Sequence, residues 1–438
     1  MLSAAHPIAR PRTTAATTLR GGAGIGALAA IGVAGVVLAA AAAGQRLRFF
    51  VPAAQTSFPG WMRGPLAHLG VRLDPHAGAL LLVALFACYL IAVACAAAIP
   101  GRLVIVTLAG LQLVFLLAPP MFSADVFGYI DYARLGAIHG LDPYLHGAAG
   151  APDDSVAQFV RWHDAPSPYG PLFTVAGYAL AHLSVAATYW IYKVVAALSG
   201  LGCVAIVWRI AARGGGDPRR AALFVGLNPL FVVYGVGGAH NDLLVELFVV
   251  AAIAAALRGG ARSAGAQVAV AGLLKISTGL VFPFLLLSSA RRGRLLAGAL
   301  LVTALVGVAS LLVLGGRVVG FVPQIIQQQR LVARYSIPSE LGFLLGQGGL
   351  TPAIRIGCAG ALIVVVTTLL WRTWRGADWV AAAGWATLTV LLTTAWLTPW
   401  YAVWVLPLAA ISPSTRLRAA TLGFCTYVMV TRVVPYLA

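Results

Sequence analysis

Residues 24–43 read GIGALAAIGVAGVVLAAAAA, a stretch without a single charge, and runs of this kind recur along the whole chain. An apolar run of about 20 residues can cross the hydrocarbon of a bilayer as a helix. Only helices and closed barrels satisfy their own backbone polar groups there, and continuous apolar runs select the helix. By this criterion spans are expected near 24–43, 77–99, 102–119, 189–209, 220–237, 242–257, 295–314, 355–371, 379–396, 400–411 and 419–436. The expected fold is an all-α integral membrane protein of about eleven transmembrane helices, with a cytoplasmic tail at 1–23 and one polytopic domain at 24–438.

Charge placement then orients the spans. The net charge of +18 does not point to nucleic acid, because the 30 basic residues are scattered between apolar runs and form no aromatic-interleaved patch. Arg10, Arg12 and Arg20 precede the first span and put the N-terminus inside. The same segment resembles a signal peptide, with Ala39 to Ala43 as its cleavage region. Alternating from there, Arg102, Arg209, Arg213, Arg219, Arg220, Arg258, Arg262, Arg291, Arg292, Arg294, Arg372, Arg375, Arg416 and Arg418 all fall in short inside loops. Two conditions are needed: residues 171–188 must not cross, and 266–288 must enter and leave on one side as a re-entrant hairpin with Lys275 near its tip. The alternative for 266–288 is one ordinary helix of 23 residues. The five cysteines sit in apolar runs without metal-ligand or disulfide spacing and read as packing residues.

Two large outer loops result, at 119–188 and 315–354. The first carries Asp125, Asp131, Asp142, Asp153, Asp154 and Asp164, six of the 12 acids. Asp153, Asp154 and Asp164 read as solvated carboxylates. Asp125 follows the apolar LLAPPMFSA directly, at the membrane boundary, where an ionised carboxylate is costly without partners or a role.

Five stretches carry a resemblance: FSADVFGYIDYARLGAIHGLDPY at 122–144, PSPYGPL at 166–172, NPLFVVYGVGGAHNDLLVELF at 228–248, LLKISTGLVFPFLLL at 273–287 and TPWYAVWVLPL at 398–408. Their order and spacing resemble the polyprenol-phosphate-mannose-dependent α-1,6-mannosyltransferases of actinobacteria, GT-C class membrane glycosyltransferases. The resemblance covers about residues 100–410. It implies a multi-helix bundle in the plasma membrane and an active site on the extracytoplasmic side. It implies also a catalytic Asp in an early outer loop, a polyprenyl-phosphate-mannose donor, and a lipid-anchored or wall glycan acceptor of the lipomannan kind. Such a donor is already activated, so the enzyme needs mainly a base for the acceptor hydroxyl and cations for the leaving phosphate. A glycosidase with paired acid and base fits less well.

Asp125 is the candidate base. On a helix over 123–136, Tyr129 and Tyr132 share its face at i+4 and i+7 and could stack on a sugar. Asp131 is expected to pair with Arg134 at i+3, or to serve the site with it, and Asp142 before Pro143 reads as a turn former. Tyr169, in the rigid PSPYGPL loop, is a candidate acceptor contact. His240, Asn241 and Asp242 sit at the outer mouth of two helices, with Asp242 alternatively an N-cap. With Glu246 they leave a divalent metal open without supporting one, and no other cofactor is indicated. Lys275 reads as the one cation deep within an apolar stretch, placed to neutralise the donor phosphate. Arg330 and Arg334, at i and i+4, could clamp the same group. Trp396, Trp400, Tyr401 and Trp404 read as an interfacial belt or, alternatively, a sugar platform. A transporter or flippase of a lipid-linked sugar is the rival class; no internal repeat or midplane pairing of charges favours it.

Overall fold

The computed structural model describes residues 15–44 and 59–437. Arg10, Arg12 and most of the expected tail lie outside them. Every regular element among the described residues is helical, and the chain is an all-α membrane protein.

The first layer is α1 (Ala15–Gly44), which starts well before the expected residue 24, packed against α3 (Pro75–Ala94) and α4 (Gly101–Leu117); a single turn, α2 (Gly60–Arg63), lies between. Pro75 at the first helical position and Asp74, accepting from the Ala77 N–H at 2.7 Å, fix the start of α3. The loop after α4 carries α5 (Asp125–Ala137) and α6 (Pro171–Tyr178). Eight residues span only about 12 Å, so α6 does not cross, as the charge alternation requires. Next comes α7 (Val185–Arg213), the long central helix.

The centre of the bundle is made of broken helices. The expected span at 220–237 is α8 (Pro218–Gly226), an interruption at Asn228 and Pro229, and a π-helical stretch at Leu230–Val236. The expected span at 400–411 is a 3-10 segment, Pro399–Trp404, followed by α17 (Leu406–Ile411). Most of these residues are buried, so neighbouring helices surround the irregular backbone, where it is tolerated.

The segment 266–288 turns back on itself. After α9 (Asp242–Leu257), α10 (Ala261–Leu274) runs out to Lys275, which is in extended conformation, and α11 (Val281–Ser288) returns before α12 (Arg292–Leu314). The Arg291 guanidinium reaches the Gly259 carbonyl at 3.5 Å, so both feet stand at one end of the bundle. From there α10 and α12 run side by side in the same direction: a Cβ at Gly265 would lie 1.9 Å from the Leu295 oxygen, and one at Gly298 1.9 Å from the Arg262 oxygen.

The remaining helices are α13 (Phe321–Gln328), α14 (Ile337–Leu344), α15 (Pro352–Trp374), α16 (Trp379–Thr393) and α18 (Thr415–Val433). Six helices among the described residues are long and apolar enough to cross a bilayer, and Gly101–Leu117, Trp379–Thr393 and Pro399–Ile411 are shorter apolar helical stretches. The best apolar window of α15 contains no buried residue and that of α12 few, which leaves these two helices to face lipid.

Candidate active site

Two loops meet at one end of the bundle. Met121 donates its N–H to the Gly237 carbonyl at 3.0 Å, tying the segment before α5 to the turn before α9. Phe122 and Ala239, one in each loop of this junction, hold positive φ values of 60° and 54°. Non-glycine residues in that region cost energy that the surroundings must repay, and they cluster at functional sites. Asp125 opens α5 and His240, Asn241 and Asp242 open α9, so the junction brings both motifs together.

The Asp125 carboxylate stands 3.7 Å from His240 Nδ1. Burial pushes Asp125 up from the ordinary 3.8 to about 6, with Lys275 pulling it back and Asp242 pushing it further up. His240 stacks on Trp400 at 3.8 Å, and burial, then Lys275, hold its imidazole neutral by lowering its pKa well below 6.5. Asp242 does not cap its helix; Oδ1 accepts from Lys275 Nζ at 2.6 Å and from Trp404 Nε1 at 2.7 Å. Lys275 lies over the rings of Tyr169, Tyr401 and Trp404 at 5.2–5.9 Å. Tyr129 donates to Asn241 Oδ1 at 3.5 Å and meets Tyr169 edge to face at 5.1 Å. Among the described residues, both ring nitrogens of His240, Nδ2 of Asn241 and Oδ2 of Asp242 have no hydrogen-bond partner. Buried polar groups are almost always satisfied, so four such atoms on three consecutive residues mark where a polar ligand belongs.

The PSPYGPL loop places Lys275. Gly170 donates its N–H to the Leu274 carbonyl at 3.0 Å, and a Cβ there would lie 2.1 Å from the Leu273 oxygen. Only glycine lets this loop close on the end of α10.

Several sequence expectations change. Asp131 does not pair with Arg134: Arg134 Nε binds Asp154 at 2.8 Å, His139 binds the other Asp154 oxygen at 2.6 Å, and Asp154 is thereby a buried ion-pair centre held below the usual carboxylate range despite its burial. Asp131 is buried with Oδ2 unpartnered and pushed up to about 7, by burial and by Asp154. Tyr132 is committed to the Ala165 carbonyl at 3.0 Å, while its ring stays 6.3 Å from Tyr169. Asp142 does form a turn, accepting the Tyr144 N–H at 2.9 Å. Arg330 and Arg334 lie on the loop beyond α13, which ends at Gln328; Arg334 pairs with Glu340 and covers Phe343 at 3.9 Å, and Arg330 is exposed. Trp400, Tyr401 and Trp404 are walls of the site and not a belt.

Two contributors escaped the sequence reading. Lys193, and not Lys275 alone, is a lysine inside an apolar run: fully buried, it donates to the Phe115 carbonyl at 2.6 Å and to the Gly237 carbonyl at 2.9 Å. It is one of only two lysines in the chain and lies inside the expected span 189–209, a signal that was available. Arg161 is the second, an outer-loop cation close enough to Asp125 to lower its pKa. Among the described residues, no three His, Cys, Asp or Glu side chains are grouped as metal ligands are.

A family model described as alpha-(1->6)-mannopyranosyltransferase, N-terminal domain, matches residues 23–291, and the MptB C-terminal domain matches residues 338–435. Alpha-(1->6)-mannopyranosyltransferase A of Mycobacterium tuberculosis is 28% identical over 348 residues, 72% of this chain and 66% of that protein. Alpha-(1->6)-mannopyranosyltransferase B of Corynebacterium glutamicum is 28% identical over 359 residues, 71% of this chain and 59% of that protein. A probable alpha-(1->6)-mannopyranosyltransferase of Mycolicibacterium smegmatis is 28% identical over 368 residues, 70% and 65% of the two chains. The chain thus spans just under two thirds of the length of these relatives. No solved structure matches it significantly.

Proposed function

The chain belongs to the alpha-(1->6)-mannopyranosyltransferase family, and from that premise we propose that it transfers mannose from polyprenyl-phosphate-mannose to a lipid-anchored or wall glycan on the outer face of the membrane. The observation that carries this reading is a carboxylate and an ammonium on either side of a loop of unpartnered polar atoms, walled by aromatic rings. Aromatic faces and free donors and acceptors suit a sugar.

In this reading Asp125 is the base. It accepts the proton of the acceptor hydroxyl as that oxygen forms its bond to the anomeric carbon, while the bond from that carbon to the phosphate oxygen breaks and the electron pair leaves with the phosphate. A pKa near 6 leaves the carboxylate ionised at neutral pH yet basic enough to take a proton. Attack opposite the leaving group inverts the carbon, so a β-linked donor gives an α product. Lys275, fixed by Asp242 and Gly170, and Arg161 supply positive charge for the leaving phosphate. His240, Asn241, Tyr129 and Tyr169 hold sugar hydroxyls and faces, and Arg134 ties α5 to the rest of the loop through Asp154 and the Ala181 carbonyl. Divalent metal is not required by this scheme.

The test is transfer of labelled mannose from polyprenyl-phosphate-mannose to a short mannoside in membranes holding the wild type or Asp125→Asn. A loss of about 100-fold or more at equal expression is expected for a general base. Equal activity of the two would sink the assignment, and translocation of the labelled lipid without covalent transfer would favour a transporter.

A further inference from the structure

At the end of the bundle opposite Asp125, where α9 finishes at Leu257, a cavity of about 860 Å³ opens between α7, α8, α9, α10, α17 and α18. Arg209, Arg213, Arg220, Arg258 and Arg418 line it. Arg418 is committed to the Ser412 carbonyl at 2.6 Å. Among the described residues, the side chains of Arg209, Arg213, Arg220 and Arg258 have no hydrogen-bond or ion-pair partner. The one acid of the lining, Asp217, is occupied: its Oδ1 caps α8 and accepts from Arg219 Nε at 3.2 Å.

Positive charge at an inside loop needs only to exist in order to orient a span. It does not need to converge on one cavity from four different chain segments, and here residues 209–213, 220, 258 and 418 do so. The deeper wall changes character: Ile206, Ile210, Phe224, Ala251 and Ala254 are apolar. A ring of guanidiniums above apolar walls, at the level where the spans end, matches a molecule with an anionic head and a hydrocarbon body. Guanidinium forks bind phosphate oxygens bidentately, and basic pockets between spans on the inner side are suited to phosphate headgroups.

We propose that this cavity is a binding site for the phosphate headgroup of an anionic phosphoglyceride of the inner leaflet, separate from the transfer site. The lipid would neutralise four uncompensated arginines and tie the ends of α7, α9 and α18 together.

The full chain is purified in a neutral detergent and titrated with phosphatidylglycerol, phosphatidylcholine or glycerol phosphate, with binding read by native mass spectrometry and thermal stability. Wild-type protein is expected to bind at least one phosphatidylglycerol and to be stabilised by it, with phosphatidylcholine giving neither. Arg213→Gln with Arg258→Gln is expected to weaken that binding by about tenfold, the loss of roughly one charge-assisted contact, with mannose transfer in detergent unchanged. The wild-type titration stands without the variant should that one fold poorly. Equal binding of phosphatidylcholine, unchanged binding by the double variant, or full displacement by glycerol phosphate, which would mark a site for a soluble phosphate, would each overturn the proposal. The transfer assay reports separately on the catalytic reading, so the two fail independently.

Discussion

Asp125 is a carboxylate whose environment opposes its charge, and that has two consequences of opposite sign. Its pKa of about 6 in the folded chain lies above the ordinary 3.8. Between those values the folded state binds more protons than the unfolded one, so stability falls as pH rises through the window, and the destabilisation is complete above about pH 6. A shift of this kind is worth roughly 1–3 kcal/mol. Asp125→Asn should therefore melt higher than wild type at pH 7.5 and together with it below about pH 4, while wild-type transfer declines as pH drops through about 6. Melting curves and initial rates across that range check both. Lys193 supports the same site from inside α7, where its Nζ joins the end of α4 to the turn carrying His240. Lys193→Met keeps the volume but removes the donor from two buried carbonyls, and a loss of about 1–3 kcal/mol is expected. A transfer rate that falls while KM for the acceptor holds would mark a positioning role; an unchanged rate and melting point would refute it. Asp125, His240, Asn241 and Lys275 were candidates in the sequence, and the fold brings them to one junction. The pairing of Arg134 was not legible, since its partner Asp154 is 20 residues away and not three. Local spacing names the neighbours on one helix and is blind to a loop that folds back.

Among elements, the hairpin α10 to α11 decides where Lys275 stands. Its charge logic was readable, because arginines on both flanks require one side. What the sequence did not display is how α10 is held: Gly265 and Gly298 let its backbone lie directly on that of α12, with carbonyl oxygens where side chains would be. Small residues allow such approach between membrane helices. Gly298→Val must push α12 off Arg262, at a cost of about 1–3 kcal/mol, and with it shift Lys275 from Asp242. A lower melting temperature with mannose transfer reduced more than tenfold is expected. A variant that melts lower yet transfers normally would show that Lys275 is positioned by Gly170 and Asp242 alone. The broken central elements were hidden for a related reason. At 220–237 and 399–411 an apolar run looks the same whether it is one helix or two pieces, since hydropathy records burial and not hydrogen-bond pattern. For the same reason Trp400 and Trp404 read as a belt at a helix end, although that end is in the interior.

At the scale of the whole molecule, the two ends of the bundle differ in charge, and that difference predicts an orientation. Arg209, Arg213, Arg220, Arg258 and Arg418 come together at one end, and Arg219 reaches the Ile99 carbonyl there at 3.2 Å. The other end gathers the acids of the first loop, and it is joined to the second loop where Arg317 approaches Asp142 at 3.7 Å and Gln324 donates to the Tyr144 carbonyl at 2.7 Å. Cationic ends resist translocation, so the expectation is that the arginine end faces the cytoplasm and the Asp125 end faces out. This can be read directly from labelling. In a chain freed of Cys88, Cys95, Cys203, Cys358 and Cys425, single cysteines at the exposed positions Asp164, Arg262 and Ala290 are treated with a membrane-impermeant thiol reagent. Asp164→Cys should react in intact cells, and Arg262→Cys and Ala290→Cys only after the membrane is opened. If Arg262→Cys and Ala290→Cys report opposite sides, residues 266–288 cross as a single span and every helix after them is inverted. The second loop would then leave the side of Asp125, against the contacts that join Arg317 and Gln324 to the first loop, so those contacts and the hairpin stand or fall together.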